Sequence, residues 1–242
     1  MYNKRRKYSY PGHKNQGRNV HWIILWILLF VLLYSALTTF FFSVVVLENS
    51  SMERNLHAGE RFIISSYNFY SLIPGLDFEK DSPPFRRGNV VLVEMFREEK
   101  PSPFLSILDG AVRFFTFQRF QLLDQSDHLF IKRVIGLPGD EISMTNFMVR
   151  VKTKDNPYNL TEFEVSERDY TPDIPRLPAL WDSSLPFSGN MERIVLGENE
   201  CFVLSDDRSN TNDSRTWGPV PLRNITGRAL FRYWPFSRFG RI

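Results

Sequence analysis

The chain has 242 residues, 43% hydrophobic and 15% aromatic, enough for one large or two small domains with a substantial core. Its formal net charge of +3 is unevenly spread: Lys4, Arg5, Arg6, Lys7, Lys14 and Arg18 precede residue 48 with no acidic residue among them, and removing these six from the 30 basic residues leaves 24 against 27 acidic ones. That acidic remainder excludes a nucleic-acid-binding surface, and the single Cys201 excludes an intramolecular disulfide or a multi-cysteine metal site.

Residues 1–19 form a basic, polar tail, and Val20 to Leu47 then contains no Asp, Glu, Lys or Arg. A run above roughly 18 apolar residues reads as a transmembrane helix. It exceeds the about 7–15-residue core of a cleavable signal and ends in Val44-Val45-Val46-Leu47 without a small-residue exit, so it reads as an uncleaved anchor. Trp22 and Trp26 suit the inner interface, and the basic flank keeps the N-terminus cytoplasmic. The helix is expected over 20–40. Residues 41–242 then form an extracytoplasmic domain on the outer (periplasmic) face of a cytoplasmic membrane.

In that domain the apolar, β-branched runs are short. Phe41–Leu47, Arg61–Ser65, Val90–Glu94, Leu129–Ile135 and Arg228–Tyr233 read as strands, and Ile194–Gly197 with Glu200–Leu204 reads as a hairpin. Cys201 is small apolar filler in the last of these. Many short strands separated by turn residues make the fold mainly β. Two inserts interrupt it, at 97–127 and 152–193; the second is charged, proline-broken and expected as a lobe of hairpins and loops. No repeat and no glycine-rich phosphate loop occur.

The first insert carries a helical pattern. At 100° per residue Phe104, Leu105, Ile107, Leu108, Ala111, Val112, Phe114 and Phe115 share one apolar arc, with Ser106, Asp109, Gly110, Arg113 and Thr116 opposite. Two placements are open. The arc packs onto the β domain, or, in a domain tethered beside a bilayer, it lies in lipid.

The strand Phe130-Ile131-Lys132-Arg133-Val134-Ile135 ends in Gly136-Leu137-Pro138-Gly139-Asp140, a turn. Alternation puts Lys132 between Phe130 and Val134 on one face and Arg133 on the other. A lysine pressed into an apolar surface loses hydration, its pKa falls, and it becomes a usable general base. The competing reading is an edge lysine whose stem lies on the sheet and whose ammonium reaches water.

The order of apolar anchor, NSSM (Asn49 to Met52), RFIIS, RGNVVLVE, FIKRVIGLPGD and SDDRSNTNDSRTWGPVP resembles the bacterial type I signal peptidases, membrane-anchored Ser–Lys endopeptidases with a mostly β catalytic domain. The resemblance covers roughly residues 20–96 and 129–233. It implies Ser51 as nucleophile and Lys132 as general base, with no histidine, cofactor or metal. It further implies Thr211 as the hydroxyl that orients the lysine, and Asp213 with Arg215 as an ion pair holding the last loop, of which Asp206 and Arg208 match the first half. The resemblance also implies the backbone N–H of Ser51 as the first oxyanion donor. Asn49 stands where many members have a serine hydroxyl donor, and either donates its NH₂ or supports a turn. The implied partners are signal peptides of secretory preproteins, the lipid bilayer and the protein-export machinery. The sequence departs from the family pattern at Asn49, Arg54, Asn55, Asn89 and Ser205. Those departures leave a rival reading, a non-catalytic paralogue that binds signal peptides or assists membrane proteins. A self-cleaving repressor of related fold is disfavoured by the anchor and the lack of a DNA-binding segment.

Overall fold

A computed structural model describes residues 16–67, 83–95, 102–116, 120, 122–123, 128–176 and 189–242. The chain opens with helix α1 (Gln16–Phe40), 25 residues long, and turns directly into strand β1 (Phe42–Val46). The helix stops where the sequence changes from Leu-rich to the β-branched run Val44-Val45-Val46, which favours a pleated, half-buried surface. The side chains described on α1 are those of 20–35. Among the described residues no helix is long and apolar enough to cross a membrane, so the span expected over 20–40 is carried by the sequence alone.

The remaining strands are β2 (Arg61–Ser66), β3 (Val90–Glu94), β4 (Leu129–Gly136), β5 (Glu141–Thr145), β6 (Met148–Lys152), β7 (Leu160–Thr161), β8 (Met191–Val195), β9 (Glu200–Leu204), β10 (Val220–Pro221), β11 (Ile225–Trp234) and β12 (Gly240–Arg241). They form two antiparallel sheets. The larger runs β1-β2-β11-β3-β4-β9-β10 with β12 on β11, and the smaller runs β7-β6-β5-β8. Helix α2 (Pro103–Phe115) is the insert helix. A mainly β fold is what the short strands implied.

The expected hairpin over 194–204 is not formed. β8 pairs with β5 in the small sheet, whereas β9 pairs with β4 and β10 in the large one. The turn between them is a corner that passes the chain from one sheet to the other. This corner lets a third apolar cluster form between the sheets, with Ile135, Phe202 and Leu204 meeting Ile142, Met144, Val149 and Val151. The β5–β6 hairpin, absent from the expected strands, is the other wall of that cluster.

β4 lies near the middle of the large sheet, and residues 131–136 are all buried. Val134, with Val91, Val93 and Val203, faces a cluster around Tyr67 and Phe85. Ile131, with Val90 and Leu92, faces a second cluster of Leu47, Met52, Leu56, Phe62 and Ile64. Both faces of β4 are therefore covered, and its two cations are forced indoors.

Candidate active site

Ser51 sits in the turns that join β1 to β2. Glu53 N–H donates to the Ser50 carbonyl and Leu56 N–H to that of Met52, both at 2.9 Å. Met52 is fully buried in the cluster beneath, which anchors the turn from below and fixes where Ser51 points. The Ser51 carbonyl accepts from Asp207 N–H at 3.1 Å, tying the turn to the loop after β9. Its Oγ is buried and has no hydrogen-bond partner among the described residues. An unsatisfied buried hydroxyl calls for an explanation, and nucleophiles awaiting substrate are one class of it.

Lys132 reaches the same loop from β4. Its Nζ is 2.8 Å from Ser205 Oγ, within a wholly buried contact. The sheet register makes the contact inevitable: Arg133 faces Leu204 and Val134 faces Val203, so the next antiparallel neighbours are Lys132 and Ser205. Nζ also lies 5.9 Å from the Trp217 ring centroid, and Trp217 packs on Phe130 with centroids 5.0 Å apart. Burial is the main force on the lysine and lowers its pKa from 10.5 to about 8. The carboxylates of Asp213, Asp206 and Asp207 pull back up, and Arg215 pushes down. At such a pKa a useful fraction of Nζ is unprotonated near neutral pH, as a general base requires. The 205–207 segment thus touches both residues: Ser205 holds Lys132, and Asp207 holds Ser51.

Ser205 is itself placed by a short relay. Its backbone N–H donates to Asp213 Oδ2 at 2.9 Å, and Asp213 pairs with Arg215 at 2.7 Å, both carboxylate and guanidinium being buried. Asp213 also accepts from the Arg215 backbone N–H at 3.0 Å, capping the turn of helix at Ser214–Trp217. Arg215 donates further to the carbonyls of Arg208 and Asn210. The hydroxyl on the lysine is that of Ser205 and not that of Thr211. The Thr211 carbonyl takes the Thr216 hydroxyl at 2.5 Å, inside its own loop. Asp206 and Arg208, adjacent in the motif, part company in space. Asp206 receives a fork from Arg133, Nε to Oδ1 at 2.7 Å and Nη2 to Oδ2 at 2.6 Å. Arg208 pairs with buried Glu162 of the second insert, which also accepts from Tyr170 Oη.

Asn49 Oδ1 accepts from the Ser51 backbone N–H at 3.1 Å. This is the turn-supporting geometry, and it occupies the donor that an oxyanion needs. Arg54 has φ 79°, a conformation closed to proline, whose ring fixes φ near −65°. Arg54 Nη1 donates to the Pro172 carbonyl at 3.3 Å, and Asn55 Nδ2 to Asp206 Oδ2 at 2.8 Å and the Thr171 carbonyl at 3.0 Å. A parallel bridge between Asp173 and Asp207 completes the seam. The departures at 54 and 55 thus stitch the serine turn to the second insert. Asn89 is buried and its Oδ1 accepts from Arg86 N–H at 3.2 Å, a local turn bond. Among the described residues no group of His, Cys, Asp and Glu could hold a metal ion.

Residues 20–234 match the family model described as signal peptidase, peptidase S26. The chain belongs to this family of peptidases. Among its relatives is signal peptidase I of Leptolyngbya laminosa, 28% identical over 209 residues, which cover 85% of this chain and 75% of that protein. Signal peptidase I of Bacillus caldolyticus is also 28% identical, over 208 residues covering 85% of this chain and 86% of that one. Signal peptidase IB of Staphylococcus aureus is 33% identical over 115 residues, 46% of this chain and 56% of its own. The residues that sequence reasoning missed in this peptidase are Ser205 and Arg133. Both needed long-range contacts: Ser205 the pairing of β4 with β9, and Arg133 the loops that bring Asp206 and Tyr170 to its face.

Proposed function

We propose that the peptidase is a membrane-anchored serine endopeptidase that removes N-terminal signal peptides from exported preproteins, with Ser51 as nucleophile and Lys132 as general base. The observation that carries this is the buried, depressed-pKa Lys132 held by Ser205 on the loop that also holds the partnerless Ser51 Oγ. In this mechanism neutral Nζ takes the Ser51 proton as Oγ attacks the scissile carbonyl, and the ammonium so formed protonates the leaving amine. Nζ then takes a proton from water, whose oxygen attacks the ester carbon, and the Oγ–acyl bond breaks with the proton returned to Ser51. The basic tail followed by Val20 to Leu47 without a charged residue supports an anchor with the tail inside and the β domain outside. β1 follows α1 at once, so Ser51 stands close to where a substrate's apolar segment leaves the bilayer. The departures at Arg54, Asn55 and Ser205 that would favour a non-catalytic binder have positive structural roles.

The test is incubation of the full chain in detergent with a preprotein carrying an Ala-x-Ala site. Cleavage after that site is expected from the native chain and none from Ser51→Ala. Turnover by Ser51→Ala would remove Ser51 from the reaction, and no cleavage by the folded native chain would remove the enzymatic reading.

The oxyanion site needs a change at Asn49. Rotating its amide away frees the Ser51 N–H and lets Nδ2 donate beside it. Asn49→Asp keeps an acceptor for the turn, loses the donor and adds a charge of the wrong sign. Turnover is expected to fall by about 10²–10³, the usual cost of one oxyanion donor, with little change in KM. Asn49→Ser should retain much of the rate. Full turnover in Asn49→Asp would place the second donor elsewhere.

A further inference from the structure

Helix α2 is built inside out for a helix on a water-soluble domain. Phe104, Leu105, Leu108 and Phe115 point outward, with Phe104 73% and Phe115 61% exposed. Its acidic residue points inward. Asp109 is 4% exposed, pairs with Arg113 at 2.6 Å, and its Oδ1 accepts from Leu122 N–H at 2.6 Å and Leu123 N–H at 3.2 Å. A surface helix in water turns its apolar arc to the core. The reverse arrangement, a paired carboxylate inside and apolar side chains outside, suits hydrocarbon.

The partner of α2 is α1. Ser35 is fully buried, and its hydroxyl donates across to the Ile107 carbonyl at 2.5 Å. Gly110 lies directly against Ser35: a Cβ there would come within 2.5 Å of Ser35 Oγ. Small residues at such a crossing let two helices approach closely, and a hydroxyl-to-carbonyl bond joins them where no water competes. Ser35 is five residues before the end of α1, about 7.5 Å along the axis, so the crossing falls in the outer half of a bilayer that α1 spans. The rest of α1 is as bare as the outer face of α2: its large apolar residues from Val20 to Leu33 other than Val31 are 48–63% exposed. An apolar surface continuous over two helices needs a covering, and that of α2 shares the medium of α1.

We infer that α2 is a short membrane-embedded helix, docked on the anchor through Ser35 and Gly110 with Phe104, Leu105, Leu108 and Phe115 in the acyl chains of the outer leaflet. This rests on the proposal that α1 spans the bilayer. Its 13 residues reach about 20 Å, too short to cross the membrane, so α2 acts as a buttress beside the anchor rather than a second span.

The full chain is reconstituted in phosphatidylcholine–phosphatidylglycerol vesicles with an environment-sensitive dye on a single new cysteine. The native Cys201 is fully buried and its thiol is pushed far up, so it does not compete for label. Positions are Phe104→Cys and Leu108→Cys on α2, Leu29→Cys on α1 and Arg150→Cys on β6. Acyl-chain spin labels should quench positions 104, 108 and 29 alike and leave 150 unaffected. Quenching at 29 but not at 104 and 108 overturns the inference and spares the anchor. Loss at all three overturns both. Docking is read separately in Ser35→Cys/Gly110→Cys, where a Cβ at 110 would lie 3.5 Å from that of residue 35, within disulfide range. Oxidation in the vesicles should close a bridge between 35 and 110. Failure to close it, with α1 still quenched, means the helices are not docked.

Discussion

Lys132→Met should abolish cleavage and at the same time make the protein harder to unfold at neutral pH. The folded chain holds this lysine at about 8 against an ordinary 10.5, chiefly because burial disfavours the ammonium. Between those two values the unfolded chain keeps the proton that the folded chain has lost, so stability rises with pH across that window. Below pH 8 the fold carries the charged, desolvated group at a cost of about 3 kcal/mol, taking 1.36 kcal/mol per pKa unit. Methionine fills a similar volume with no charge to desolvate. Thermal unfolding at pH 7 should therefore shift upward in Lys132→Met, and the rise in stability between pH 8 and 10.5 should vanish. For the native chain, kcat/KM on an Ala-x-Ala preprotein should climb with pH through a midpoint near 8. Ser205→Ala removes the hydroxyl that aims Nζ, so its plateau should drop while KM holds. A lower melting temperature for Lys132→Met at pH 7, or a rate flat from pH 6 to 9, contradicts the account.

Much of this arrangement is legible in the sequence because it is local. The end of α1 at Phe40, the strands Arg61–Ser66, Val90–Glu94 and Leu129–Gly136, and the turn at Gly136–Asp140 all follow from residue texture and punctuation. Long-range pairing is where local signals stop. Ile194–Leu204 has the pattern of a hairpin, yet its halves find better partners in separate sheets, since burying Ile135 and Phe202 requires a second layer. Arg133, which alternation places only on the face opposite Lys132, is hidden by Asp206 and Tyr170. The hydroxyl against Lys132 is that of Ser205 because cross-strand register, not position in a motif, decides which hydroxyl meets it. Periodicity gives the apolar arc of α2 but not its direction, which depends on the medium around it.

Asp206→Ala should cost about 3–5 kcal/mol, the usual penalty for stranding one member of a buried ion pair. Arg133 is 5% exposed and Asp206 1%, and the carboxylate accepts two guanidinium bonds as well as one from Asn55 Nδ2. Without it Arg133 keeps, among the described residues, the Gly88 carbonyl at 2.7 Å and the face of Tyr170, 4.1 Å from its ring centroid. Neither neutralises a charge in a dry interior. The midpoint of urea unfolding should fall accordingly with the slope unchanged. A loss below about 1 kcal/mol would mean that water reaches the guanidinium and that Tyr170 does not seal this face. The double variant Arg133→Met/Asp206→Leu separates stability from positioning. Replacing both charges with apolar groups of similar volume should recover most of the loss, because the pair was expensive to desolvate in the first place. Catalysis should not recover with it. Asn55 loses its acceptor on the loop, and the segment from Ser205 to Asp207, whose two ends hold Lys132 and Ser51, loses the fork that pins its centre. A stable double variant with reduced kcat at its pH plateau would assign the pair to placing the dyad, its midpoint moving down because Asp206 no longer pulls the Lys132 pKa up; full plateau activity would assign it to stability alone.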